Sequence, residues 1–111
     1  SDSLRCAGMP DGEYELGGLP ITMKDALARL HDGTIAGSAT NLLQELKNVV
    51  SYGIALESAV YAVTAAPARS IGLSDSIGAL DVGKCADILV LDEALELKAA
   101  FVDGRPVYGE L

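Results

Sequence analysis

The residues best suited to chemistry lie in one stretch of mostly small side chains, Asp32-Gly33-Thr34-Ile35-Ala36-Gly37-Ser38. Four of these seven residues are Gly, Ala or Ser, and only Ile35 carries a large apolar side chain. Because glycine has no Cβ, such a stretch lets a ligand approach the main chain closely. The composition predicts a loop that can bind a carbonyl group or an anion. A tight turn before a surface helix explains the same residues without any ligand.

An amphipathic helix is predicted directly after this stretch, over residues 41–52. Its apolar residues recur at helical spacing: Leu42, Leu43, Leu46, Val49 and Val50. Asn41 is a favourable N-cap, Gln44 can complete a capping box, and Gly53 stands where helices commonly end. A glycine-containing loop therefore leads into a helix N-terminus, where unpaired N–H groups and the positive end of the dipole favour an anion.

Composition excludes several classes of partner and site. The 111 residues carry a net charge of −8, which argues against binding to a nucleic-acid backbone or an anionic membrane. Cys6 and Cys85 form no C-x-x-C pair, so we predict a reduced, cytoplasmic environment, with a disulfide left open. His31 is the single histidine, which rules out a multi-histidine metal site and favours an exposed loop residue.

The first part of the chain is predicted to form a β-hairpin. Residues 13–16 alternate polar and apolar side chains up to Gly17-Gly18, and residues 19–23 make the second strand. Residues 25–31 fit a helix or an extended hairpin arm, and their alanines favour a helix.

A second helix and several strands are predicted after the first helix. Residues 56–65 carry a helical apolar stripe that Pro67 breaks, and a short helical turn is expected to restart with Pro67 at its first position. Residues 78–84 alternate as a strand does and then turn, and residues 86–92 form a buried strand. Residues 98–102 and 105–108 flank Asp103-Gly104, a strong hairpin signal.

Four segments of the chain resemble a known enzyme family. Residues 7–18 (AGMPDGEYELGG) and 32–38 (DGTIAGS) closely resemble N-acetylglucosamine-6-phosphate deacetylases of the amidohydrolase superfamily. Residues 77–88 (IGALDVGKCADI) and 101–107 (FVDGRPV) resemble amidohydrolases in general. The resemblance covers essentially the whole chain, and its first two segments are the more specific ones.

The resemblance implies an α/β fold that combines a (β/α)₈ barrel with a small β-sandwich. A barrel alone takes about 250 residues, so this chain would be the C-terminal segment of such an enzyme, beginning at the end of the eighth barrel strand. Residues 1–75 would be the C-terminal part of the barrel, with a β-hairpin, the substrate loop and two main helices. Residues 76–111 would be the C-terminal strands of the β-sandwich.

The resemblance also assigns chemistry to four residues. Ser1-Asp2-Ser3 is similar to the family segment that carries the catalytic aspartate, so Asp2 would take a proton from the attacking water and return it to the amine. Ile35, Ala36 and Gly37 would contact the substrate through their main chain. The family's divalent metal, zinc or iron, would be held by ligands outside this chain, so the isolated segment is expected to be inactive. Without the resemblance, Asp2 is simply a solvated carboxylate near a chain end.

The sequence departs from the family pattern at two places, and two other interpretations of its function stay open. Ser3-Leu4 stands where the family usually has Ala-Met, and Thr40-Asn41-Leu42 stands where it often has Leu-Thr-Met. The alternatives are a segment of another amidohydrolase, such as a deaminase or cyclic-amide hydrolase, and a non-catalytic assembly module. Because the apolar stripes and strand edges lack partners, a homo-oligomer or association with the missing N-terminal part is expected.

Overall fold

The structure is a computed structural model that describes residues 2–109 and divides the chain into two compact units, Ser1–Val49 and Val50–Leu111. The elements follow the order of four strands, three helices and three strands. The strands form two separate antiparallel sheets, one in each unit. Ser1, part of the motif that suggested a catalytic aspartate, lies outside the described residues.

The first unit contains a four-stranded meander. Its strands are β1 (Gly12–Leu16), β2 (Leu19–Lys24), β3 (Leu27–Leu30) and β4 (Ile35–Ser38), in the spatial order β1-β2-β3-β4. The predicted hairpin of β1 and β2 is confirmed. Gly17 and Gly18 join these strands with φ of 57° and 85°, values that suit a tight hairpin turn and that only glycine adopts readily.

The segment that fitted either a helix or a strand is extended. β3 pairs with β2 along four residues, and Asp25 and Ala26 make the turn between them with φ of 51° and 60°. The helix preference of alanine is a weak local bias, which pairing with an adjacent strand overrides. Ala28 is completely buried in this sheet.

One face of this sheet covers the core of the first unit. The buried core residues are Cys6, Ile21, Met23, Ala28 and Ala39. Along β2 the side chains alternate, with Ile21 and Met23 buried and Thr22 and Lys24 exposed. The period of two places the apolar set on a single face.

The predicted loop over residues 32–38 is only partly a loop, because its second half is strand β4. Asp32 accepts the Thr34 N–H at 2.9 Å, and the Leu30 N–H donates to the Thr34 carbonyl at 2.8 Å. These bonds close the turn before Ile35. β4 then pairs with β3, and Ala28 lies opposite Gly37.

The first helix, α1 (Leu42–Ser51), begins and ends as predicted. The Asn41 Oδ1 accepts the Gln44 N–H at 2.9 Å, which confirms the N-cap. The capping box is not completed among the described residues, since no hydrogen bond joins the Asn41 N–H to the Gln44 side chain, which donates to Asn48. Gly53 follows the helix with φ 94° and donates its N–H to Val50, which confirms the stop.

The second unit contains two shorter helices, α2 (Leu56–Val63) and α3 (Ala65–Ser70). Pro67 is the third residue of α3 rather than its first, so this helix begins two residues earlier than predicted. A proline is tolerated there, because the N–H groups of the first helical turn have no partner inside the helix. Gly72 has φ 74° and follows the end of α3, as expected.

The three-stranded sheet of the second unit consists of β5 (Ile88–Leu91), β6 (Leu97–Val102) and β7 (Arg105–Tyr108). The hairpin around Asp103 and Gly104 is confirmed, with φ of 50° and 73°. The alternating residues 78–84 do not form a strand and instead make turns. A Cβ on Gly78 would lie 2.7 Å from that of Ala68, so close packing on α3 replaces strand pairing here.

The coarse fold class agrees with expectation, since the chain is a small α/β segment with two sheets. The predicted boundary between residues 75 and 76 lies inside the second unit and stays a prediction about a larger protein. Over residues 2–109, no helix combines the length and apolar character needed to cross a membrane.

Candidate functional site

The structure places Asp2 beside the end of β4. Ser3 forms a parallel bridge with Ser38, the Ser38 N–H donates to the Asp2 carbonyl at 3.1 Å, and the Leu4 N–H donates to the Ser38 carbonyl at 2.8 Å. Both main-chain groups of Ser38 are therefore bonded to residues 2–4. The predicted catalytic aspartate and the predicted substrate segment meet along one strand edge.

Asp2 has an unusual backbone and an exposed side chain. Its φ of 51° is in the left-handed region, which aspartate tolerates better than most residues with a Cβ. Such a conformation persists where neighbouring structure holds it, and the Ser38 N–H supplies one such contact. Asp2 is exposed. Asp2 thus combines a main chain bonded to Ser38 with exposure to solvent.

The predicted substrate segment lies in the outermost strand of the sheet. β4 is the last strand of its sheet, and Ser38 forms the bridge with residues 2–4 on its outer side. Ala36 packs against the core, whereas the Ile35 side chain is 59% exposed. An edge strand presents the main-chain N–H and C=O groups of alternate residues outward, so this segment can contact a ligand through main-chain groups.

Gly37 lacks a side chain for a reason that the sequence did not reveal. A Cβ at this position would lie 2.8 Å from Leu4 Cδ2 and 3.0 Å from Leu4 Cγ. The φ of Gly37 is also positive, at 154°. The space beside Gly37 is filled by Leu4, so glycine lets residues 2–4 lie close to β4.

The structure contains a half-buried polar cluster beside Asp2 that was not predicted from the sequence. Ser38 Oγ lies 2.6 Å from Thr40 Oγ1, and the Thr40 hydroxyl donates to the Glu45 carboxylate on α1. The Ser3 hydroxyl donates to the Thr40 carbonyl at 2.5 Å. The available signal was the pair of hydroxyl residues two positions apart, which commonly bonds its own backbone before a helix.

Asp32 has a structural task in this stretch. The Thr34 main-chain N–H, followed by the Thr34 hydroxyl, holds the pKa of the Asp32 carboxyl below its usual value. Arg29 donates to the Gly33 carbonyl at 2.8 Å and supports the same turn. The Asp32 carboxylate is thus engaged in shaping the turn that starts β4.

The chain offers no cluster suited to a metal ion within residues 2–109. No group of three or more His, Cys, Asp or Glu side chains converges in that range. His31 is exposed in the turn between β3 and β4. The residues described here do not fit a metal centre of their own.

Comparison with known proteins gives one family. The model of the amidohydrolase family matches residues 23–107. N-acetylglucosamine-6-phosphate deacetylase of Vibrio furnissii is 33% identical over 109 residues, covering 97% of this chain and 27% of that protein. N-acetylgalactosamine-6-phosphate deacetylase of Escherichia coli is 31% identical over 106 residues, covering 95% of this chain and 28% of that protein.

A solved structure extends the likeness to three dimensions. It is N-acetyl-D-glucosamine-6-phosphate deacetylase from Mycobacterium smegmatis, an aspartate-to-alanine mutant in complex with N-acetyl-D-glucosamine-6-phosphate. It matches with a TM-score of 0.81 and 33% identity, covering 95% of this chain and 29% of that one. The chain therefore spans less than a third of the length of each of these proteins.

Proposed function

Because the chain belongs to the amidohydrolase family, we propose that it forms part of an enzyme that removes the acetyl group of N-acetylglucosamine-6-phosphate. The products are glucosamine-6-phosphate and acetate, and the reaction belongs to amino-sugar breakdown. The observation that carries the proposal is the pairing of residues 2–4 with β4, since it joins the candidate proton carrier to the candidate substrate segment. The names of the Vibrio furnissii and Mycobacterium smegmatis relatives support the same substrate.

Asp2 would move the proton in this reaction. As a carboxylate it accepts a proton from the water whose oxygen attacks the acetyl carbonyl carbon. As a carboxylic acid it returns that proton to the nitrogen, the C–N bond breaks, and the sugar leaves as an amine. One group acting first as base and then as acid suits amide hydrolysis, because the amine is a poor leaving group until it is protonated.

The main chain of Ile35, Ala36 and Gly37 would orient the sugar. Hydrogen bonds from an edge strand are fixed by the sheet, so they cost little conformational entropy when a ligand binds. Ala36 is anchored in the core by its side chain, which supports this geometry. Orientation of the acetyl group toward Asp2 would follow from the bridge between Ser3 and Ser38.

The metal and the complete barrel are proposed for the whole enzyme, of which this chain would be one part. Members of this family are generally metal-dependent, and a divalent zinc or iron ion would polarise the amide when bound. Since residues 2–109 hold no suitable cluster, its ligands are assigned to a part of the enzyme outside this chain, and none of the steps above is derived through it. A (β/α)₈ barrel would supply that part.

A second candidate substrate is N-acetylgalactosamine-6-phosphate. The Escherichia coli relative that carries this name covers nearly as much of the chain as the Vibrio furnissii one. The two sugars differ only in the configuration of one hydroxyl group, so the reaction and the task of Asp2 would be the same. Hydrogen bonding to that hydroxyl would decide between them.

Acetate release by the whole product of the gene tests the proposed function. The purified protein, supplied with Zn²⁺ or Fe²⁺, is given each 6-phosphate and, as a control, N-acetylglucosamine without phosphate. We expect kcat/KM to be highest for N-acetylglucosamine-6-phosphate. A preference for the galactosamine substrate would select the second candidate, and no acetate from either phosphate would favour a different amidohydrolase or a non-catalytic module.

A further inference from the structure

We infer that Thr40 is a positioning residue that holds the Asp2 segment against β4 through Ser38 and Ser3. This inference rests on the proposed function, because its catalytic consequence requires Asp2 to be the proton carrier. Thr40 lies between the end of β4 and the start of α1, and it contacts both. Its hydrogen bonds go to Ser3, Ser38 and Glu45 and not to the candidate substrate segment, so its effect must act through these neighbours.

The hydrogen bonds around Thr40 have a defined direction. A hydroxyl group has one proton to donate and a carboxylate has none. Because the Thr40 hydroxyl donates to Glu45, the contact of 2.6 Å between Ser38 Oγ and Thr40 Oγ1 must use the Ser38 proton. Ser38 Oγ in turn accepts the Thr40 N–H at 3.1 Å. The side chain of Ser38 is therefore fixed on two sides by one residue.

Fixing Ser38 also fixes the Asp2 segment. The main chain of Ser38 bonds to Asp2 and Leu4, and the Ser3 hydroxyl donates directly to the Thr40 carbonyl. Glu45 lies in the first turn of α1, where the dipole favours a carboxylate. The cluster thus connects the start of a helix to three consecutive residues, of which Asp2 has the left-handed backbone.

Loss of the Thr40 hydroxyl would loosen this connection without changing the shape of the residue. Thr40→Val leaves the Ser38 hydroxyl without its acceptor and Glu45 Oε1 without its threonine donor, in a half-buried setting where such bonds count most. We expect kcat to fall about tenfold, because small displacements of a catalytic group are costly, while KM stays within about twofold. Thr40→Ser, which keeps the hydroxyl, should restore kcat.

A matched control exists elsewhere in the same unit. Thr22 donates to Glu13 at 2.8 Å across β1 and β2, with no bond to residues 2–4. Thr22→Val therefore removes a threonine–carboxylate bond at an exposed position, and kcat should remain at the wild-type value. The experiment measures kcat and KM for N-acetylglucosamine-6-phosphate with the whole gene product, and hydrogen exchange at the amides of Leu4 and Ser38.

Exchange at the amides of Leu4 and Ser38 should be about tenfold faster in Thr40→Val and unchanged in Thr22→Val and Thr40→Ser. Unchanged exchange, an unchanged kcat, or an equal loss in both valine variants overturns the inference. If Thr40→Val does not fold, Ser38→Ala decides by the same measurements, because it removes the donor from the same bond. A wild-type protein without activity refutes the proposed function and the catalytic consequence, and exchange alone then decides whether Thr40 holds the segment.

Discussion

The main-chain N–H of Ser38 donates a hydrogen bond to the carbonyl oxygen of Asp2 at 3.1 Å. This bond joins two segments that are far apart in the sequence. Ser38 directly follows the candidate substrate segment, residues 35–37, and Asp2 is the candidate proton carrier. The proposed site requires this contact, because the two segments could not act on one acetyl group if they lay apart.

Gly37 and Leu4 should be energetically coupled. Gly37→Ala would place a Cβ 2.8 Å from Leu4 Cδ2 at a strained φ, so we expect a loss of about 1–3 kcal/mol in the free energy of unfolding. Leu4→Ala should relieve part of this loss, giving a coupling energy above about 0.5 kcal/mol in a double-mutant cycle measured by urea unfolding.

Gly33→Ala is the control for this cycle. Gly33 also has a positive φ, of 87°, but a Cβ there would meet nothing within 4 Å. The loss in the free energy of unfolding caused by Gly33→Ala should reflect backbone strain alone. It should add independently to the loss caused by Leu4→Ala. Additive behaviour of Gly37→Ala and Leu4→Ala would show that the space beside Gly37 is not reserved for Leu4.

The turn at Asp32 should weaken in acid. Its hydrogen bonds from Thr34 lower the pKa of the carboxyl in the folded state from the usual 3.8. A lowered folded pKa contributes stability above the unfolded pKa, and this contribution is lost as the pH falls through the folded value. The free energy of unfolding of the wild type should therefore exceed that of Asp32→Asn at pH 6, and this difference should shrink as the pH is lowered to about 3. A difference that does not depend on pH would contradict the assignment.

Local turn chemistry made much of this fold predictable. Gly17-Gly18 and Asp103-Gly104 specify their hairpins with adjacent residues, and Asn41 specifies the start of α1 through a bond three residues away. Strand β4 was not predictable in the same way, since alanine, glycine and serine have little intrinsic strand preference. Its pairing with β3 and Ser3 supplies the structure instead.

The candidate site was predictable only in part, for a related physical reason. Asp2 and residues 35–37 followed from the family resemblance, and their roles stay predictions. The Thr40 cluster depends on a contact between residues 37 positions apart, Ser3 and Thr40, and no local pattern signals such a contact. The space beside Gly37 likewise depends on Leu4, which packs there only after the chain has folded.

The isolated 111-residue chain should associate through its apolar surface. Large apolar side chains remain exposed on its helices and loops: Leu42, Leu56, Val60, Leu80 and Val82. Burying one such side chain contributes roughly 1.5–3 kcal/mol, which is comparable with a sizeable fraction of a domain's stability. Light scattering at micromolar concentration should give a homo-oligomer, or a complex when the rest of an amidohydrolase polypeptide is added. A stable monomer that binds no such partner would contradict the prediction.

Whether Asp2 carries the proton is decided by kcat of Asp2→Asn in the whole gene product. Asparagine keeps the size and the main-chain bond to Ser38 but cannot accept and return a proton. We predict that kcat for N-acetylglucosamine-6-phosphate falls by about 10²-fold or more while KM changes little, because the lost interaction acts in the transition state. A kcat equal to that of the wild type would show that Asp2 does not carry the proton.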